Sequence, residues 1–288
     1  MSYSPIEAIV RSSTSLLIHN ACKQEFAPGY VFFAHCHETV EILLIQEGSC
    51  NLKCNNLPPP VKSGELVVIF PHTIHSFSVT SAIPCRFLQI HIWPNCFYNI
   101  DPSTVNALPF VAQIVDKRSA YLVRPTNDEI LNCMQRICRE ASQTEAQYAR
   151  ILTNAYIIEL ALLLSRNISD SYRHIFTIGN ELTIHAINYI STHLEQKLSL
   201  KDVAQACHVS SRYLSQVFKE NVNITVNTYI SIAKVDKAFS YISSKEMHIN
   251  DIAELLGFSS SQYFASTFKK YTGFTPTEFA ASGTKHPF

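Results

Sequence analysis

Between residues 29 and 75 the chain spaces three histidines and one glutamate so that they could do chemistry together. The order is Gly29, five residues, His35-Cys36-His37, three residues, Glu41, six residues, Gly48, and then Gly64, Pro71 and His75. On an extended strand His35 and His37 point to one side and Cys36 to the other. Imidazoles with one carboxylate can close around a divalent ion and leave a position open for substrate. The same groups can instead recognise a small molecule, or form a hydrogen-bonded set that supports a barrel mouth. His72, Arg86 and His91 are further candidates for that opening. The nine cysteines offer less. Neither Cys50 with Cys54 nor Cys133 with Cys138 has the two-plus-two spacing of a zinc site, and an odd, scattered set fits buried thiols in a reducing compartment.

Strands must position these groups. The β-branched and aromatic runs Tyr30–Phe33, Val40–Ile45, Cys50–Lys53, Leu66–Phe70, Ser76–Val79 and Arg86–Trp93, separated by Gly, Pro and Asn, predict a small β-barrel or sandwich. From Asn127 the period becomes helical. Ile130, Leu131, Met134, Ile137 and Cys138 form one stripe, and Ala149, Leu152, Ala155, Tyr156, Leu160 and Leu163 a second. Two helices joined near Ser142 to Glu145 should pack as a hairpin. The second also carries Ile151, Ile158 and Leu162, more apolar surface than one neighbour requires, so a second subunit is expected there. Residues 167–180 read as a linker. The longest apolar run, Ile157 to Leu164, falls far short of the ~20 residues that cross a bilayer, so no membrane span is expected. The N-terminus lacks the pattern of an export signal, which predicts a cytoplasmic protein.

Residues 198–279 repeat themselves. LSLKDVAQACHVSSRYLSQVFKENVNITVNTY lies on MHINDIAELLGFSSSQYFASTFKKYTGFTPTEF with an offset of 49 that becomes 50 after one insertion. Asp202 matches Asp251, Ala204 matches Ala253, Ser210 is laid on Ser259, Tyr213 matches Tyr263 and Phe218 matches Phe268. A repeat of this length is one supersecondary unit used twice. In each copy a short helix (201–207, 250–256) carries a small alanine where a second helix crosses. Ser210 and Ser259 sit where an N-cap is needed, and the second helix (211–221, 260–271) follows. Gly257 supplies the positive φ of one turn, whereas His208 in the other should be strained or differently shaped. Tyr213, Phe218, Tyr263, Phe264, Phe268, Phe274 and Phe279 are expected in the core.

The segment GFSSSQYFASTFKKYTGFTPTEF and the repeat around it resemble the DNA-binding domain of the AraC/XylS family over about the last hundred residues. The resemblance implies seven helices and two recognition helices held by a connecting helix near 225–243, which enter successive major grooves of double-stranded DNA. Position on the second helices makes Ser211, Arg212, Ser215 and Gln216, then Ser260, Ser261, Gln262 and Ser266, candidates for the groove, with Arg212 and Gln216 able to read guanine and adenine. Lys219, Lys269 and Lys270 are candidates for phosphates. Where the family usually carries arginines, this chain has Gln216, Ser266 and, in the connecting helix, Lys234. The net charge of the whole chain is zero, and residues 181–288 hold ten Lys and Arg against nine Asp and Glu, so a lone subunit should gain little from phosphates.

The histidine and glycine spacing of the N-terminal half resembles the two motifs of the cupin barrel. The second motif departs, with His75 one residue nearer Pro71 and Thr73 in place of a glycine. Sensor domains of AraC-type regulators often keep these histidines without metal, so His35, His37, Glu41 and His75 are expected to bind a small-molecule effector, with no metal and no cofactor. The expected fold class is α+β. Residues 1–125 form a cupin-like ligand-sensing β-barrel, 126–166 a helical hairpin for dimerisation, 167–180 a linker and 181–288 an all-α domain with two helix-turn-helix units. The expected function is a ligand-responsive, sequence-specific transcription regulator, an activator rather than a repressor, working as a homodimer with RNA polymerase and without catalysis. The rival is a metal-dependent cupin enzyme with a helical appendage.

Overall fold

The computed structural model describes residues 17–54, 60–97, 105, 107–116, 119–143, 148–169, 175–177 and 181–282. Its N-terminal half contains β1 (Ile18–Phe26), β2 (Val31–His35), β3 (Val40–Glu47), β4 (Ser49–Lys53), β5 (Val61–Lys62), β6 (Glu65–Ile69), β7 (His75–Val79) and β8 (Cys85–Ile92). There follow α1 (Pro109–Asp116), β9 (Ser119–Pro125), α2 (Asp128–Ala141), α3 (Ala149–Ser169) and β10 (Ile175–Thr177). The strands pair antiparallel in two sheets, in the orders β1-β8-β3-β6-β9-β10 and β2-β7-β4-β5. All six expected strands are present, with ends within two residues of the expectation. β1, β5, β9, β10 and α1 were not expected. β1 alternates weakly because His19, Asn20, Lys23 and Gln24 interrupt it, and β9 ends in an arginine and a proline.

The central strand β3 is buried from Val40 to Ile45, because both of its faces are covered. Val40, Ile42 and Leu44 pack with α2 and α3, while Leu43 and Ile45 fill the space between the sheets with Phe77 and Phe87. Glu41 shares the phase of Leu43 and therefore points into the barrel.

Asn127 caps α2 by accepting from the amide of Ile130, and the helix buries Ile130, Cys133, Met134, Ile137 and Cys138. The buried face of α3 is not the one the periodicity selected. Ile157, Leu160, Ala161, Leu164 and Ile168 join the core, and Ile151, Leu152 and Leu162 are exposed, because α3 is apolar nearly all round and its phase is set by packing. α3 is also long and apolar enough, at a mean hydropathy of 1.3 over residues 149–168, to cross a membrane by length and composition. The run Ile157 to Leu164, interrupted by Glu159, understated this length, because Thr, Asn and Ser on either side do not break the helix. Its packed face, with Thr153, Asn154 and Ser165 buried beside the aliphatic side chains, is that of a core helix. Within the stretch expected as a linker, α3 continues to Ser169, and β10 adds to the edge of the larger sheet beside β9.

The C-terminal part contains α4 (Glu181–Thr192), α5 (Leu200–Ala206), α6 (Ser211–Val222), α7 (Val226–Ser244), α8 (Ile249–Leu255), α9 (Ser261–Thr272) and α10 (Pro276–Ser282), the seven helices the resemblance implied. Ser199 and Asp202 form a reciprocal capping box at the start of α5. Two cores share α7. Its first half packs Tyr229, Ile230 and Ala233 with Val203, Leu214 and Phe218, and its second half packs Val235, Phe239 and Ile242 with Ile252, Phe264 and Phe268. Phe218 and Phe268 occupy equivalent, fully buried positions, each contributing on the order of 2–3 kcal/mol by area removed from water.

The sensor half and the helices also meet directly. Cys36, Cys54, Ala120 and Tyr121 lie in the same buried cluster as α4 to α7. The Tyr229 hydroxyl donates to the His72 carbonyl at 2.6 Å, and Lys237 lies 3.7 Å from Glu38.

Candidate effector site and nucleic-acid interface

Two cross-strand pairs build the polar centre of the barrel. His35 stands opposite His75 in the β2–β7 ladder of the smaller sheet, and Glu41 opposite His91 in the β3–β8 ladder of the larger one. The sheets face each other, so the four side chains converge, and His37 joins them from the β2–β3 connection. The Glu41 carboxylate is fully buried. One oxygen accepts from the Gln89 amide at 2.8 Å, and the other lies 3.1 Å from His37 Nε2 and 3.0 Å from His75 Nε2. Burial alone would raise this carboxyl group, but the imidazoles of His37, His75 and His91 outweigh it and hold the group well below the usual carboxylate range.

On the far side of each ring, Nδ1 faces a main-chain carbonyl: His35 that of Phe33 at 3.0 Å, His37 that of Thr39 at 2.9 Å, and His75 that of Thr73 at 2.9 Å. One ligand atom from each of His35, His37, Glu41 and His75 lies within 4.8 Å of the others. Three imidazoles and one carboxylate in that space suit a divalent transition metal. The early His75 and the missing glycine of the second motif do not keep His75 from the cluster.

His91, named above only as a candidate for the opening, is a full member of the group, and its Nδ1 meets the Thr39 hydroxyl at 2.9 Å. Gln89 and Thr39 were not anticipated. Gln89 and His91 stand two apart on an expected strand, so alternation could have found them. Arg86 does not line the opening: it lies outside, paired with Glu25 at 2.9 Å and Glu47 at 2.7 Å. A cavity of about 420 Å³ opens beside His37, walled by His19, Thr39, His91 and Trp93 of the barrel and Lys237 of α7. A second, apolar cavity of about 390 Å³ lies between β2, the middle of α7 and the end of α9.

The two reading units are laid out alike. Residues 211–220 and 261–270 carry the same order of buried, half-buried and exposed positions. Ser210 caps α6 by accepting from the amide of Tyr213, and Ser260 caps α9 by accepting from that of Tyr263. Ser259 is therefore not the cap: the offset is 49 at His208 and Gly257 and 50 at Ser210 and Ser260, so Ser259 is the inserted residue. The turn residues His208 and Gly257 have φ of 56° and 63°, so the first turn has the shape of the second and is not a different one. Asn223 and Gly273 close the two second helices in the same left-handed conformation.

Arg212, Gln216, Lys219, Gln262, Ser266, Lys269 and Lys270 are exposed, and Ser211, Ser215 and Ser261 half-buried. Gln216 donates to the Glu220 carboxylate at 3.0 Å, and the Ser266 hydroxyl to the Tyr263 carbonyl at 3.0 Å. Three aromatics expected in the core are not there. Tyr213 and Tyr263 are each 52% exposed on the same faces, and Phe274 is exposed beyond α9. Aromatic type alone carried that expectation, whereas helical phase places both tyrosines next to Arg212 and Gln262. Lys234 faces inward, 4% exposed. Its ammonium donates to the Gln196 carbonyl at 2.6 Å, and burial lowers its pKa to about 8.

Residues 21–161 match the family described as "AraC-like ligand binding domain" and residues 203–282 the one described as "Helix-turn-helix domain". The chain belongs to the AraC family of transcription regulators. It is 23% identical over 270 residues to the "HTH-type transcriptional activator RhaR" of Yersinia pseudotuberculosis, covering 90% of this chain and 88% of that protein. Over 266 residues it is 24% identical to the "Melibiose operon regulatory protein" of Escherichia coli, covering 88% and 85%. The fold is similar to that of unsaturated fatty acid bound ToxT from Vibrio cholerae, with a TM-score of 0.60 at 16% identity over 91% of this chain and 94% of that one. This AraC-family chain is a ligand-responsive, DNA-binding transcription regulator and not an enzyme, so the rival reading as a cupin enzyme falls.

Proposed function

We propose that the protein is a homodimeric activator that binds its effector at the mouth of the barrel and reads DNA with α6 and α9. The observation that carries the reading is the matched pair of reading helices, which present the same faces 50 residues apart under one shared connecting helix. Arg212 and Gln216 of the first unit and Gln262 and Ser266 of the second read bases, and Ser211, Ser215, Ser260 and Ser261 border the groove. Lys219, Lys269 and Lys270 hold phosphates. The effector enters the cavity beside His37 and is recognised through His35, His37, Glu41 and His75. Residues 1–125 act as the sensor, 126–166 as the dimerisation hairpin and 181–288 as the DNA-binding domain, with the segment between joining them.

The exposed side of α3, with Ile151, Leu152 and Leu162, supports a second copy as partner. Activation, with RNA polymerase as the further partner, follows the printed role of RhaR. The test is recovery of the DNA sites bound in cells, followed by a titration of the purified chain with the recovered site and a scrambled one. At least a hundredfold preference for the recovered site is expected. Equal affinity would refute specific readout.

A further inference from the structure

The exposed faces of α6 and α9 share one layout. Gln216 and Ser266 stand at the centre of each, three residues after Tyr213 and Tyr263 and three before Lys219 and Lys269. At about 3.6 residues per turn, those offsets put the tyrosine about 60° to one side of the centre and the lysine about 60° to the other. The major groove of B-DNA is about 12 Å wide and a helix about 10–12 Å across, so a helix whose centre faces the bases turns each side to a sugar-phosphate wall. Lysine meets one wall and tyrosine the other.

The core of neither unit takes up these rings. Each tyrosine is 52% exposed, although Leu214 and Phe264, one residue on, are fully buried. Among the described residues neither phenol hydroxyl has a hydrogen-bond partner. The Tyr263 ring leans edge-on against Phe258 in the preceding turn, with centroids 6.0 Å apart, and Val209 holds the matching half-buried place in the first unit. Charge makes the tyrosine side of α6 the weaker one for DNA. Its exposed residues are Tyr213 and Glu220, and the Glu220 carboxylate repels phosphate while accepting from Gln216. On α9 the place of Glu220 is taken by Lys270. With ten cations against nine anions in residues 181–288, backbone contacts need neutral donors, and a tyrosine hydroxyl is one.

We infer that Tyr213 and Tyr263 are DNA-contacting residues, each donating its hydroxyl to a backbone phosphate on the side of the groove opposite Lys219 and Lys269. The inference rests on the reading above that α6 and α9 enter the groove. A phosphate bond fixes the register of each helix and carries no base preference of its own. A neutral donor also releases no counterion, so this part of the affinity is insensitive to salt. Tyr213 has no cation beside it on its side of α6, whereas Tyr263 shares its side with Lys270, so the first unit depends on its hydroxyl more than the second.

The experiment uses the full chain and the recovered DNA site, with affinity read by fluorescence anisotropy over a series of salt concentrations. Tyr213→Phe removes one oxygen from an exposed ring, and an unchanged urea midpoint checks that the fold is kept. It should weaken binding about tenfold on the recovered site and on its single-base variants alike, with the salt slope unchanged. Tyr263→Phe should do the same to a smaller extent. A Tyr213→Phe protein within twofold of the parent overturns the inference, and so does a loss confined to one base pair, which would make the tyrosine a base reader. A scan of single methylphosphonates along both strands is the direct test. At one phosphate per unit the substitution should weaken the parent about threefold or more beyond its effect on the matching Phe variant, the signature of a shared contact. The absence of any such position also overturns the inference. Lys269→Ala separates the two readings. If it weakens all sequences and lowers the slope by about 1 while the tyrosine variants match the parent, the hydroxyl contacts fail and the placement of the helices stands. If Lys269→Ala changes nothing either, the placement of the helices fails with them.

Discussion

Gly257→Ala should be the most damaging single methyl that can be added to the DNA-binding domain. The residue has φ of +63°, and an alanine held in the left-handed region costs roughly 1–2 kcal/mol. The larger cost is steric. A Cβ there would lie 2.4 Å from the carbonyl carbon and oxygen of Gln196 and from the amide nitrogen of Lys197, all main-chain atoms that no rotamer change can move aside. The connection between α4 and α5 would have to retreat by about 1 Å, and Gln196 is also the acceptor for the buried Lys234 ammonium at 2.6 Å. Weakening that charged hydrogen bond adds about 1.5–3 kcal/mol. The sum, roughly 2.5–5 kcal/mol, is a large share of the ~5–15 kcal/mol that holds a domain folded. The assay is urea unfolding followed by helical circular dichroism, with His208→Gly as the control. His208 has nearly the same φ, so that change should be neutral or stabilise by up to ~1 kcal/mol. A Gly257→Ala protein whose unfolding midpoint matched the parent would refute the close approach of the two turns.

Lys234→Met should change how stability depends on pH. The folded ammonium has a pKa of about 8 against the ordinary lysine value of 10.5, so between those values the unfolded chain holds a proton that the folded chain has released, and stability rises with pH by up to about 3 kcal/mol. The variant lacks that rise; a difference between the two proteins that stayed flat from pH 8 to pH 10 would contradict it. Arg212→Ala should relax preference at one base position at a cost of about 1–3 kcal/mol, whereas Lys269→Ala should weaken all sequences alike, as measured on a library of single-base variants of the site. Three exposed lysines assigned to phosphates on α6 and α9 (Lys219, Lys269 and Lys270) give a slope of log affinity against log salt of about −3 for one subunit, and about twice that for a dimer. Ile151→Glu with Leu162→Glu, both on the exposed side of α3, should yield folded monomers in sedimentation with the shallower slope; Ile158 is unsuited to this test because it packs against the core. A double variant that stays dimeric removes α3 from the interface.

The repeat, the seven helices and the cluster's first four members were legible because each rests on local pattern: caps, a period of 3.6, or a fixed spacing on one strand. What escaped depended on other elements. Ser260 and not Ser259 is the cap because the extra residue lies in the turn ahead of the second helix, and either serine satisfies the motif until the turn is built. Tyr213 and Tyr263 look like core residues by type, yet Leu214 and Phe264 beside them take the buried phase. α3 offers apolar residues on nearly every side, so its sequence holds no information on which side packs. Lys234 as an internal residue required knowing which loop lies over α7.

The placement of Lys234 bears on how the two reading units are regulated. Because its ammonium is bonded inside the domain, α7 is fastened to the turn that also receives Gly257, and the helix cannot slide without disturbing both units. Ten of its 19 residues are buried, and the nine other than Lys234 divide between the two cores. The same helix meets the sensor through Tyr229 at His72 and Lys237 at Glu38. A movement of the barrel mouth that displaces α7 therefore reaches α6 and α9 together. The second unit has an additional contact of its own, Phe33 on Gly273, and substituting there leaves α7 in place. On the proposed reading, a signal passed from the mouth through α7 acts on the two units together.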